Sequence, residues 1–185
     1  YNQVNLPWWD LFDIVAISAG AYHNLALRND GTVVAWGDNG KGQTALPVDL
    51  TNAVAVAAGG EFSLALRNDG TVVAWGGNDH GELMVPSGLN HVVAIAAGYF
   101  RALALTRDGR VIGWGEPGDG PGIVPEGLPA AVAIAAGPMH GLALLRNPAA
   151  PAELAIRDAG LTDEGFGAWL DSQSGRVYAL EYADQ

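Results

Sequence analysis

Four short sets of variable residues contain the side chains best suited to binding a partner. Each set directly follows an Ala-Gly pair. Aromatic, methionine, arginine and histidine side chains, which are types found at interface centres, are common among them. The candidate partner-binding residues are Tyr22, His23, Glu61, Phe62, Tyr99, Phe100, Arg101, Met139 and His140. Because these sets differ while their flanking residues agree, we predict an interface. The alternative is that Phe62 and Phe100 merely plug a central channel.

Catalytic and metal-binding patterns are missing from the sequence. The chain has no cysteine, which excludes disulfides and thiol catalysis. It contains no His-x-x-x-His, Gly-x-Ser-x-Gly or phosphate-loop motif. The polar loops around Asp38, Asp79 and Asp119 supply oxygen atoms but do not match the calcium-loop pattern, so we interpret them as solvated turns. We predict that the chain is not an enzyme and has no cofactor or metal.

A repeat of 39 residues positions the variable sets. The segment 64–76, LALRNDGTVVAWG, recurs at 25–37 and, more loosely, at 103–115. Asp-Gly between two apolar runs is a strong hairpin signal, because glycine supplies the positive φ of the turn. Each copy ends in a tryptophan beside glycine, namely Trp36, Trp75 and Trp114. We expect these three side chains to pack between repeats.

The repeat predicts an all-β fold of propeller blades. A small-residue strand, the hairpin, a polar loop and a short strand ending in proline give about four antiparallel strands per unit. The variable sets join the first strand to the second, so all four should lie on one rim. Residues 1–147 would form about 3.5 repeats of an incomplete ring, beginning within residues 1–13 with the last strand of a blade, marked by Leu6-Pro7.

The remaining chain departs from the repeat. The fourth copy stops at Asn147-Pro148, and residues 148–153 are typical of a linker. Residues 154–185 predict a hairpin segment, with strands at 166–170 and 176–182 around a turn at 172–175. That segment would be a cap or the start of a separate domain. An open array exposes apolar faces and strand edges. We therefore expect a fragment of a longer protein, a half-ring that pairs with a copy of itself, or an open or capped array.

Charge and hydropathy limit the partners. The 185-residue chain has a net charge of −11, which argues against nucleic acid and could steer a basic partner. The longest apolar run, 92–100, is far too short to span a membrane. We expect a protein partner, or copies of this chain through open blade edges, and no membrane insertion.

The order of the sequence markers resembles the regulator-of-chromosome-condensation repeat over residues 4–146. These markers are Ala-Ala-Gly, Leu-Ala-Leu, Asn-Asp-Gly, Ala-Trp-Gly and Val-Pro. This resemblance implies a β-propeller, with seven blades in the family. The compact period is similar to bacterial members, including propellers that inhibit β-lactamases, where aromatic residues in this region contact the partner. Eukaryotic nucleotide-exchange members have longer repeats. The resemblance therefore implies a bacterial protein, either extracellular or at the cell surface.

These observations predict a non-catalytic scaffold that displays variable loops on one rim for protein or ligand recognition. A structural, self-assembling surface or filament component is the alternative. Nucleotide exchange on a small GTPase is a third possibility, which the short repeat disfavours.

Overall fold

The computed structural model describes residues 11–115 and 124–146, together with the backbone of three strands between 156 and 180. All of the described regular structure is β-strand. The strands of the repeats are β1 (Ile14–Ala19), β2 (His23–Arg28), β3 (Val33–Gly37), β4 (Ala53–Ala58), β5 (Phe62–Arg67), β6 (Val72–Gly76), β7 (Val92–Ala97), β8 (Arg101–Thr106), β9 (Val111–Gly115), β10 (Ala131–Ala136) and β11 (Gly141–Leu145).

Each of the first three repeats forms a three-stranded antiparallel sheet, in the orders β1-β2-β3, β4-β5-β6 and β7-β8-β9. The expected fourth strand is not formed between 38 and 52, where local turns occupy the backbone groups. Ala45 N donates to Gly42 O at 3.0 Å, and Leu50 N donates to Pro47 O at 3.0 Å. The prediction of about four strands per unit was therefore wrong for this part of the chain.

The predicted hairpin turns are confirmed. Gly31, Gly70 and Gly109 have φ values of 82°, 82° and 86°, the left-handed region in which glycine has no steric cost. In the first turn, Gly31 N donates to Arg28 O at 3.0 Å. Pro148 stands at the corresponding position of the fourth repeat. Because proline holds φ near −65°, this turn cannot be repeated there.

The tail completes the fourth sheet by a different strand pairing from the one predicted. Its strands are β12 (Ile156–Thr162), β13 (Gly165–Leu170) and β14 (Val177–Leu180). The predicted hairpin between 166–170 and 176–182 was wrong, because β13 pairs with β12 and β14 pairs with β11. Leu180 lies opposite Gly141, the register that Trp36 has opposite Asn24 in the first sheet. β14 thus lies beside β11 at the position that the third strand holds in the other three sheets.

The apolar core lies between successive sheets. One buried cluster joins Leu25 and Leu27 of the first sheet to Trp75 of the second. The next joins Leu64 of the second sheet to Trp114 of the third. Successive sheets therefore bury the sides that face each other, as expected for blades. The sheets make an incomplete ring.

Trp75 and Trp114 also bond to the preceding repeat. Their Nε1 atoms donate to Gln43 O at 2.9 Å and to Glu82 O at 2.8 Å. The prediction that these side chains pack between repeats is confirmed for both, while Trp36 is half-buried.

Some sequence predictions lie outside the described residues. These are the blade strand at Leu6-Pro7, the polar loop 116–122 and the linker 148–153. The domain boundaries at 147 and 154 stay predictions. Within the described ranges, we find no helix with the length and apolar character needed to cross a membrane.

Candidate functional site

The four variable sets lie side by side at one edge of the sheets. Ala21 N donates to Gly59 O at 3.2 Å, Gly60 N to Tyr99 O at 3.1 Å, and Tyr99 N to Pro138 O at 2.9 Å. Backbone bonds thus join each set to the next. The prediction that they share one rim is confirmed, and these bonds hold the loops in a fixed arrangement.

The polar loops that follow β3 and β6 belong to the same edge. Asp38 N donates to Tyr22 O at 2.8 Å, and Gly77 N donates to Glu61 O at 2.8 Å. In an antiparallel three-strand sheet, the second strand starts where the third one ends, so the sequence could have indicated this neighbourhood. We call this surface the loop rim; its members are Tyr22, Asp38, Lys41, Glu61, Asp79, His80, Tyr99, Phe100, Met139 and His140.

Three candidate residues offer almost no surface to a partner. His23, Phe62 and Arg101 are 1%, 0% and 7% exposed. Each begins a strand and packs on the glycine of its own Ala-Gly pair. A Cβ at Gly59 would lie 2.6 Å from Phe62 Cδ1, which shows how closely the ring covers that backbone. We therefore correct the site: these three side chains belong to the scaffold, and Phe62 lies between blades rather than in a channel.

His23 links the first two blades through polar contacts. Its Nε2 lies 2.9 Å from Ser63 Oγ, and that hydroxyl donates to Gln43 O at 2.8 Å. A hydroxyl that donates to a carbonyl can only accept from the ring, so Nε2 carries the proton. His23 Nδ1 is buried without a hydrogen-bond partner among the described residues. Burial lowers the pKa of His23 to about 4, although the charge of Asp38 acts in the opposite direction.

An aromatic cluster connects the second and third blades on the loop rim. The Phe100 ring centroid lies 4.6 Å from that of Tyr99, edge to face, and 4.2 Å from that of His80. All three side chains are half-buried, and Met139 in the next variable set is 45% exposed. His80 was not among the sequence candidates. Rings held in place by one another provide contact area at little entropic cost.

The charges on the loop rim are mainly negative. Lys41 Nζ lies 2.6 Å from Asp79 Oδ2 in an exposed ion pair that spans two blades. The hydrogen bond to Asp79 raises the pKa of Lys41, and the charges of Asp79, Glu61 and Glu82 add to this effect. Lys41 is the only lysine of the chain. Because Asp38 also lies on the loop rim, this surface has more carboxylates than ammonium groups.

Metal-ligating side chains do not converge on this surface. Among the residues that the structure describes, no group of three or more His, Cys, Asp or Glu side chains could hold a metal ion. What the arrangement offers is a fixed surface with aromatic and acidic side chains.

Known proteins share the repeat and the fold. The model of the Regulator of chromosome condensation (RCC1) repeat matches residues 14–43, 53–82 and 92–120. The crystal structure of human WBSCR16 is 26% identical, with a TM-score of 0.64, and the match covers 73% of this chain and 46% of that one. Yeast RCC1 (Prp20), solved with Kap60, is 24% identical with a TM-score of 0.61, over 76% of this chain and 43% of that one.

A plant ectodomain shows the same fold over more of the chain. The CRINKLY WD40 ectodomain of the Arabidopsis thaliana receptor kinase ACR4 is 22% identical, with a TM-score of 0.61, over 92% of this chain and 52% of that one. The chain thus spans about half the length of the structures it resembles. No curated protein sequence matches it. The repeat match and the shared architecture support an RCC1-type repeat β-propeller, with RCC1 repeats at residues 14–43, 53–82 and 92–120.

Proposed function

We propose that this chain is a non-catalytic scaffold whose loop rim binds a basic protein. The observation that carries the proposal is the cluster of Phe100, Tyr99 and His80 beside the carboxylates of Glu61 and Asp79. Aromatic side chains are common binding anchors, and neighbouring acidic groups favour basic partners over nucleic-acid phosphates.

The mechanism is rigid display. Backbone bonds between the variable sets hold Tyr99 in place before a partner arrives, so little entropy is lost on binding. Lysine or arginine side chains of the partner would contact the aromatic faces and the carboxylates together. Acidic side chains at the periphery would mainly raise the association rate, and this effect would weaken with added salt.

Two structural relatives provide precedents for protein partners. Yeast RCC1 (Prp20) was solved bound to Kap60, and a second study of Prp20p describes binding to Gsp1p and histones. At 24% and 23% identity these relatives support the fold, and the partner of this chain is our proposal alone. Nucleotide exchange, a bacterial origin and an extracellular or cell-surface location stay predictions.

The decisive experiment removes the aromatic cluster. We expect the double variant Tyr99→Ala and Phe100→Ala to lose proteins that the wild type captures from a cell extract, as measured by quantitative mass spectrometry. Titration of the purified captured protein should show affinity reduced by roughly thirtyfold or more, the cost of removing an aromatic anchor worth about 2 kcal/mol.

The matched control is Phe12→Ala. Phe12 is 63% exposed and lies next to Asp13, whose carbonyl oxygen accepts from Asn29 N at the opposite edge. This variant should bind like the wild type. If the double variant folds normally and keeps the wild-type affinity, the loop rim is not the binding surface.

Self-assembly is a second candidate function, favoured by the outer face of β1. Ile17 on that face is 78% exposed. The equivalent of Ile17 in the next blade, Val56, is half-buried against its neighbour. A second copy that packs on β1 would bury Ile17 as the neighbouring blade buries Val56.

A further inference from the structure

A groove lies in the third repeat, at the edge opposite the loop rim. It has a volume of about 610 Å³ and lies between the loop 86–91 and the hairpin turn at 106–110. This volume is within the usual range of small-ligand sites, roughly 300–1,000 Å³. The hairpin turns define this surface, which we call the turn edge.

The second repeat shows why the third has an open groove. There, Arg67 Nη2 donates to Asp49 O at 3.0 Å and lies 3.2 Å from Asp49 Oδ2, so the two side chains fill the space between loop and turn. One repeat later, Thr106 replaces Arg67 and Gly88 replaces Asp49. A Cβ at Gly88 would meet nothing within 4 Å.

The same repeat adds positive charge to the groove. Arg107 and Arg110 stand where the second repeat has Asn68 and Thr71. Both arginines line the groove and are exposed, and neither forms an ion pair with any described residue. This local pair of positive charges contrasts with the net charge of −11 of the whole chain.

The other polar residues of the groove leave this positive charge in place. Its one carboxylate, Asp108, accepts a hydrogen bond from the Thr106 hydroxyl, which lowers the pKa of Asp108. His91 lines the groove from the loop 86–91, and its backbone carbonyl oxygen accepts a hydrogen bond from Arg107 N at 2.9 Å. The groove thus has two guanidinium groups and one carboxylate, and because that carboxylate is hydrogen-bonded to Thr106 and interacts with the charge of Arg110, a net positive charge is left.

We propose that this groove binds a small organic oxyanion, a carboxylate or a phosphate, through Arg107 and Arg110. The planar guanidinium group matches both oxyanions with two parallel hydrogen bonds. Asn90 and Ser87 supply further hydrogen-bond donors, while Leu89 and Ile112 form an apolar wall for the carbon skeleton. The site is separate from the loop rim and does not depend on the function proposed there.

Calorimetric titration of the whole chain with two probes, inorganic phosphate and citrate, tests the proposal. We expect saturable binding of at least one probe to the wild type. Binding of phosphate would identify a phosphate site, and binding of citrate alone would identify a carboxylate site with skeleton contacts. Failure of both probes to bind would overturn the proposal.

The informative variant is Arg107→Asn with Arg110→Thr, which restores the turn residues of the second repeat and should fold. We expect affinity to fall about tenfold or more, because two charge-assisted contacts are lost. The single variants R107N and R110T provide the same test if the double variant does not fold. The control Arg146→Asn removes an exposed arginine at the equivalent turn position of the fourth repeat.

The control should change affinity less than about twofold. Equal losses in R146N and in the double variant would show a general charge effect and refute the site. Unchanged affinity in the double variant would also refute it.

Discussion

His23 should make the stability of this protein depend on pH. Its side chain is 1% exposed, Nδ1 has no hydrogen-bond partner among the described residues, and burial lowers its pKa from 6.5 to about 4. Below pH 6.5 the unfolded chain takes up a proton that the folded chain refuses until about pH 4. Stability from this residue is therefore complete above pH 6.5 and is lost as the pH falls towards 4.

The size of the effect follows from the two pKa values. The difference between 6.5 and about 4 corresponds to an upper limit of about 3–4 kcal/mol, at roughly 1.4 kcal/mol per pH unit. This is a large part of the stability of an ordinary domain, roughly 5–15 kcal/mol.

The matched variant is His23→Phe with Ser63→Ala. It copies the interface of the next two blades, where Phe62 and Ala102 occupy the equivalent positions. Urea unfolding between pH 7 and 4 should show that the free energy of unfolding falls more steeply in the wild type. The carboxylates contribute to both proteins, so the difference between the two curves isolates His23.

Parallel curves would refute the reasoning. A direct check is the NMR titration of the His23 ring in the folded wild type. An ordinary pKa near 6.5 would show that the ring is solvated and that its burial does not oppose protonation.

Two further predictions concern packing and assembly. Gly59→Ala should destabilise the protein by about 1–3 kcal/mol, because the new methyl would overlap the Phe62 ring, while Gly40→Ala, whose Cβ would have its nearest neighbour at 3.6 Å, should change stability by less than about 0.5 kcal/mol in the same thermal unfolding assay. If β1 packs on a second copy, light scattering should show a dimer or larger species that Ile17→Lys converts to a monomer. A wild type that is monomeric at all concentrations would exclude self-assembly.

The repeat and its hairpin were predictable because they depend on local chemistry. Asn-Asp-Gly forms the turn through the positive φ of glycine wherever it occurs, so its spacing alone indicates the blades. The pairing of β14 with β11 was not predictable, because it joins strands that are distant in sequence and match no repeat marker. The tail was therefore assigned the nearer, wrong partner.

The sequence contained a pattern that indicated which residues of the candidate site are buried. His23 is followed at alternate positions by Leu25 and Leu27, and all three are buried on one face of β2. In the first three variable sets, the third position therefore begins a strand and points into the blade interface. Because all four residues of each variable set were interpreted as a loop, the alternation that continues into the third position was missed.

By itself, the sequence determined the all-β repeat, the position of the turns and the edge on which the variable sets lie, because each depends on residues close together in the chain. Tertiary structure decided which of those residues are exposed, that His80 joins Tyr99 and Phe100, and that the groove at the turn edge of the third repeat is open. These features depend on contacts between loops about half a repeat apart, and the side chains that each loop carries decide them.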